Sequence, residues 1–88
     1  MTKKQVEIVN KTGLHARPAS DFVLEAKKYE SKITICRENG VPVNAKSVVR
    51  ILAEGIGKGT TIEIAAEGTD EEQAAASLAA LVESGFGE

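Results

Sequence analysis

His15 is the only histidine in the 88-residue chain, and Arg17 lies two residues beyond it. An imidazole nitrogen is a nucleophile that can take a phosphoryl group, and a guanidinium can bind phosphate oxygens through paired N–H bonds. The stretch reads Gly13-Leu14-His15-Ala16-Arg17-Pro18-Ala19-Ser20. Pro18 suits the first turn of a helix, where the N–H it lacks would have no intrahelical partner. Gly13 lets a strand turn sharply into that helix. His15 is therefore expected in a loop at a helix N-terminus, where unpaired N–H groups and the positive end of the dipole favour an anion. The N–H groups of Ala16 and Arg17, with the Arg17 guanidinium, are the candidate phosphate ligands. A lone histidine in a small protein more often has no chemistry; the setting is what singles out His15.

Ser47 is a good N-cap for a short helix and needs no further role. As a phosphorylation site it would add about −1.5 to −2 charges where a helix dipole tolerates them. Gly55-Ile56-Gly57-Lys58-Gly59 lacks the Lys-Ser/Thr ending of a phosphate-binding P-loop and follows a helix rather than opening one, so it reads as a turn. Glu71 and Glu72 read as first-turn partners of a helix dipole rather than as catalytic acids. Cys36 is the only cysteine, so no internal disulfide can form, and it is expected to be a small buried residue. No spacing suggests a metal, and no cofactor is expected.

Seven elements are expected to position these groups. Gln5–Val9 alternates polar and apolar residues, which puts Val6 and Ile8 on one face of a strand. Asn10-Lys11-Thr12-Gly13 is a turn. From Arg17 to Tyr29 the residues Ala19, Phe22, Val23, Ala26 and Tyr29 form one helical stripe. Lys32–Cys36 alternates again, with Ile33 and Ile35 inward. The Asn39-Gly40 pair signals a hairpin returning through Val41-Pro42-Val43, and Pro42 places that strand at a sheet edge. After Ser47 a short helix carries Val48, Ile51 and Leu52, with Val49 adjacent, and Gly55 ends it. Thr61–Ala66 is a strand with Ile62, Ile64 and Ala66 on one face. Thr69 and Glu72 match a capping box for a last helix that buries Ala74, Leu78, Leu81 and Val82 and closes at Gly85. The order β-α-β-β-α-β-α, with one apolar face per element, predicts a single α+β domain over residues 1–88. It is an open-faced β-sandwich, with a four-stranded antiparallel sheet and three helices on one face.

Composition is that of an ordinary globular chain, 42% hydrophobic and 27% charged, with only Phe22, Tyr29 and Phe86 aromatic. The core must therefore be mostly aliphatic. Charge is uneven. Residues 1–32 carry seven Lys or Arg against four acids, whereas residues 63–88 carry seven acids and no Lys or Arg. The basic half holds His15, which suits a phosphate or an acidic partner surface. No 18-residue apolar run and no signal-peptide stretch follow Met1-Thr2-Lys3-Lys4-Gln5, so an intracellular chain without a membrane span is expected.

Gly13-Leu14-His15-Ala16-Arg17-Pro18-Ala19 closely resembles the active-site signature of the HPr family, the histidine-containing phosphocarriers of the bacterial phosphoenolpyruvate:sugar phosphotransferase system (PTS). Asn44-Ala45-Lys46-Ser47 followed by Val48-Val49 resembles that family's regulatory-serine motif. The resemblance spans the whole chain. It implies that His15 accepts a phosphoryl group on Nδ1 from phosphorylated enzyme I and passes it to enzyme IIA domains, with Arg17 steadying the phosphate. It implies that Ser47 is phosphorylated by an ATP-dependent HPr kinase/phosphorylase, with binding to a catabolite-control repressor in Gram-positive bacteria. Val48, Val49 and Leu52 would offer an apolar docking patch, with Ile51 in the core. The carrier would not be an enzyme by itself, because donor and acceptor proteins complete each transfer. The expected setting is a cytoplasmic monomer that neither binds nucleic acid directly nor inserts into a membrane. Val6-Glu7-Ile8, Asn10-Lys11 and Ser84-Gly85-Phe86 are also similar to the nitrogen-branch relatives, NPr, which leaves a nitrogen-branch carrier as an alternative. A mainly regulatory module controlled through Ser47 is a second alternative. Crh-like relatives, which lack the active histidine, are set aside because His15 is present.

Overall fold

The computed structural model describes residues 1–88. In chain order it contains β1 (Thr2–Glu7), α1 (Ala16–Ala26), β2 (Lys32–Arg37), β3 (Val43–Asn44), α2 (Val48–Ala53), β4 (Thr61–Glu67) and α3 (Glu71–Glu83), then a single 3-10 turn at Gly85–Gly87. The strands form one antiparallel sheet in the order β1-β4-β2-β3. Side chains alternate across a strand, and the apolar positions fall on one face. Val6, Ile33, Ile35, Ile62, Ile64 and Ala66 are all buried. α1 adds Ala19, Phe22, Val23 and Ala26, and α3 adds Ala74, Ala75, Leu78, Ala79 and Val82, which completes an aliphatic core around one phenylalanine. The open-faced α+β sandwich is the architecture that the alternation predicts.

Several boundaries differ from the sequence expectation. β1 begins at Thr2 and ends at Glu7, so Ile8 and Val9 lie beyond it. Ile8 nevertheless joins the buried core, and its backbone stays paired: its N–H donates to the Thr60 carbonyl at 2.9 Å and its carbonyl accepts from Gly59 N–H at 2.7 Å. α1 stops at Ala26, and Tyr29 packs against the core from the following turn. β3 is only Val43–Asn44; Val41 is 77% exposed, and Pro42 cannot donate to the ladder. Asn39 takes a left-handed φ of 62° in the hairpin and Gly40 does not, with Gly40 N–H closing the turn on the Arg37 carbonyl at 2.8 Å. Cys36 is half-buried rather than buried. It falls on the sheet face opposite Ile33 and Ile35, and its Sγ lies 3.1 Å from the carbonyls of Arg37 and Gly40. Leu81 is half-buried, and Ala75 and Ala79 take the inward positions instead.

The start of α3 shows why the expected capping box fails. The helix begins one residue later, with Asp70 and not Thr69 at the N-cap position. Glu71 reaches back to accept from Gly68 N–H at 3.2 Å, so the returning arm of the box is shifted by one residue. Asp70 leaves its own helix uncapped and turns to the start of β2. It accepts from Glu30 N–H at 2.9 Å, Ser31 N–H at 3.0 Å and the Ser31 hydroxyl. Ser31 is buried, and a side chain at Gly68 would strike it at 2.7 Å, so this joint is close-packed. On the other side Ser77 donates to Glu25 at 2.5 Å, which fastens α3 to α1.

Donation by the Ser31 hydroxyl, aided by the N–H groups of Glu30 and Ser31, holds the Asp70 carboxyl below the usual carboxylate range. A group depressed on folding stabilises the fold above its unfolded pKa, and that stabilisation is lost as pH falls through the folded value. Asp70→Asn should therefore lower Tm at pH 7. The gap from the parent should narrow as pH falls through the lowered folded value of the Asp70 carboxyl, where the stabilisation is lost. Thermal melts of the two chains over a pH series from 7 down into the acid range check this, and a gap that does not narrow as pH falls contradicts it.

Candidate functional site

His15 lies where the glycine turn and the helix start place it. It is the N-cap of α1, with extended backbone at φ −126° and ψ 158°. Its side chain is exposed and does not cap the helix. The preceding loop is pinned. Leu14 N–H donates to the Ile56 carbonyl at 2.9 Å, and both residues are fully buried. Gly13 has φ +70°, and a Cβ there would meet the Ile56 carbonyl oxygen at 2.6 Å and Gly57 Cα at 2.7 Å. Glycine is thus required twice over, for its conformation and for the close approach of two backbones. The turn Gly55–Gly59 acts as the platform for this loop.

The first turn of α1 has an unusual geometry. Ala16 takes φ of 51°, in the left-handed region that non-glycine residues rarely enter. The N–H groups of Ala16 and Arg17 have no carbonyl partner in the chain, as expected of helix-start donors. Pro18 is buried at the third helical position, where its missing N–H leaves nothing unpaired. The result is an exposed imidazole beside free donors at the positive end of a helix, a place suited to an anion. Arg17 extends into solvent with its Nε 3.7 Å from Asp21 and its side chain 90% exposed. An ion pair that open to water contributes little, so the guanidinium is free to turn toward an anion.

Ser47 caps α2. Its Oγ accepts from Arg50 N–H at 3.3 Å, and its backbone is extended. The apolar residues of α2 divide as expected: Ile51 is fully buried, Val48 half-buried, Leu52 40% exposed and Val49 76% exposed. α1 packs against α2, so the helices that begin after His15 and Ser47 are neighbours. Leu24 of α1 adds a further exposed apolar side chain, at 62%, which the helical stripe leaves on its outer side.

A family model for the PTS HPr component phosphorylation site matches residues 2–84. The chain belongs to the PTS HPr family. The phosphocarrier protein HPr of Borreliella burgdorferi is 48% identical over 84 residues, with 96% of each chain covered. The HPr-like protein Crh of Halalkalibacterium halodurans is 47% identical over 83 residues, 94% of this chain and 98% of that one. Among solved structures, HPr-C-His from Thermoanaerobacter tengcongensis matches with a TM-score of 0.95 at 48% identity, covering 100% of this chain and 98% of its own. The likeness extends over the sheet and all three helices, so the His15 loop stands on a family scaffold.

Sequence reasoning missed the platform. Nothing in the types of residues 13 and 56 shows that their backbones touch across the fold. The left-handed Ala16 was equally hidden, since alanine carries no signal for that conformation. Gly13→Ala should destabilise the chain by about 2 kcal/mol or more, from backbone strain together with the clash on Ile56. Urea unfolding of the variant measures this, and an unchanged midpoint contradicts the close contact.

Proposed function

We propose that this chain, a phosphocarrier of the PTS, receives its phosphoryl group on Nδ1 of His15 from phosphorylated enzyme I and delivers it to enzyme IIA domains. The observation that carries this reading is the exposed His15 at the N-cap of α1, beside unpaired N–H groups at Ala16 and Arg17. A bond forms from the ring nitrogen to phosphorus as the bond to the donor breaks. The transferred phosphate then stands where those two N–H groups and the dipole of α1 offset its charge. Arg17, released from its long contact with Asp21, adds a bidentate hold. An acceptor nucleophile must approach from solvent, and the exposure of His15 leaves that path open. Val48, Val49 and Leu52 give partner proteins an apolar surface on α2. The protein is a carrier and not an enzyme by itself: donor and acceptor complete each transition state. No helix is long and apolar enough to cross a membrane, and the reading places the carrier in the cytoplasm as a monomer.

A second role at Ser47 has its own support, the likeness to Crh and the position of Ser47 at the start of α2. Phosphorylation there by an ATP-dependent kinase would place a dianion beside Val48 and Val49, where it would repel an acidic partner and could attract a regulatory one.

Incubation with phosphoenolpyruvate and purified enzyme I should give one acid-labile phosphate by intact mass, and none with His15→Ala. Arg17→Ala should retain the label but acquire it about tenfold to hundredfold more slowly. Ser47→Ala should take phosphate from enzyme I as the parent does. Label surviving in His15→Ala, or none in the parent, contradicts the carrier role. Running the assay with sugar-branch and nitrogen-branch enzyme I separates those two alternatives by relative rate.

A further inference from the structure

Asn10, Thr12 and Glu88 make a contact that the transfer outlined above does not use. After α3, the buried Gly85 takes φ of 72°, at a place where a Cβ would come into ordinary contact with Val9 and Asn10. The turn Gly85–Gly87 then brings Glu88 back, with Glu88 N–H donating to the Gly85 carbonyl at 3.0 Å. The Glu88 carboxylate lies across the loop before His15. The Thr12 hydroxyl donates to Oε2 at 2.8 Å, Thr12 N–H to Oε1 at 3.4 Å and Asn10 Nδ2 to Oε1 at 3.5 Å. Asn10 Nδ2 also donates to the Gly13 carbonyl at 2.9 Å, and Gly13 N–H returns a bond to the Asn10 carbonyl at 3.2 Å. Asn10 is only 3% exposed, and its Oδ1 is buried without a donor. Reversing the amide would turn Oδ1 onto the Gly13 carbonyl, so the loop holds Asn10 in one orientation.

These bonds form a chain. Glu88 fixes Thr12 and Asn10, Asn10 fixes Gly13, and Gly13 and Leu14 sit on the Ile56 platform one residue before His15. Lys11 and Lys58 line the same shallow cavity as Glu88. Donation from the Thr12 hydroxyl, the largest cause, keeps the Glu88 carboxyl below the usual range, so both oxygens accept at neutral pH. A loop that carries a reacting group without a hydrogen-bonded ladder needs such ties, because a small misplacement of the nucleophile is costly in rate.

We infer that Glu88 is a positioning residue for transfer through His15, its carboxylate locking the Asn10–Gly13 turn that sets where the imidazole and the Ala16 and Arg17 N–H groups stand. The inference rests on the carrier reading and adds a residue from the far end of the chain to it.

The test compares the full chain with Glu88→Ala, Glu88→Gln and Thr12→Val. The phosphorylation rate from enzyme I is measured beside Tm, and amide exchange of Thr12, Gly13 and Leu14 is followed by NMR without any partner. Glu88→Ala should exchange these amides faster and take phosphate about threefold to tenfold more slowly. Its Tm should shift too little to account for the rate, because the parent and the variant are both fully folded at the assay temperature. Glu88→Gln keeps one acceptor oxygen and should recover part of the rate. Thr12→Val should slow transfer, and adding it to Glu88→Ala should cost less than the two single effects combined, as coupled partners do. A parent chain that takes no phosphate overturns the carrier reading and this role with it. Transfer by the parent at a rate that Glu88→Ala matches, or unchanged exchange at Thr12 and Gly13, overturns the role of Glu88 alone.

Discussion

The backbone contact between Gly13-Leu14 and Ile56-Gly57 is the constraint on which the rest of this structure depends. It joins the loop before α1 to the turn after α2 through one 2.9 Å hydrogen bond and an approach that leaves no room for a Cβ. The side chains of Leu14 and Ile56 are both fully buried, so the core holds the contact from beneath. With the loop fixed there, His15 becomes the N-cap of α1 and cannot move inward. Gly55, at φ +61°, ends α2 just before the platform, so the same turn that supports His15 also sets where α2 stops.

Strain and exposure in the site have a common origin. A left-handed alanine costs about 1–3 kcal/mol, and a structure keeps it only where its surroundings leave no alternative. Here Leu14 is anchored on one side of Ala16, and Pro18 and Ala19 are buried on the other. The chain must pass from an extended N-cap into a helix within one residue. The resulting first turn presents its N–H groups to solvent. A phosphate that must be taken and released needs such access, and a deep pocket would hinder both steps. The remaining elements therefore serve as a rigid base, tied by Asp70 to the start of β2 and by Ser77 and Glu25 between α3 and α1.

Much of this was legible in the sequence. Alternation located Ile33, Ile35, Ile62 and Ile64, and helical spacing located Phe22, Val23 and Ala26, because burial on one face imposes a period on the residues themselves. Turn and cap chemistry, which is local, placed His15 at the start of α1 and Ser47 at the N-cap of α2. The misses were non-local. The capping box at Thr69 failed because Asp70 finds donors at Glu30 and Ser31, just before β2 and about forty residues away in sequence, a competition no local motif records. Val41 and Pro42 fell outside β3 because β2 offers a ladder only at Thr34 and Ile35. The Ile56 platform and the reach of Glu88 to Thr12 join distant segments through backbone and carboxylate groups that carry no sequence pattern.

The central claim is that a phosphoryl group on His15 is held by the N–H groups opening α1. The most direct measurement is the ¹H–¹⁵N NMR spectrum of the uniformly labelled chain before and after phosphorylation, with the ring nitrogens of His15 observed in the same sample. The account predicts phosphorus on Nδ1 of His15 and large downfield shifts of the Ala16 and Arg17 amides, with the core of the sheet unmoved. A stable phospho-form in which those two amides stay in place, or in which the phosphorus sits on another residue, would contradict it.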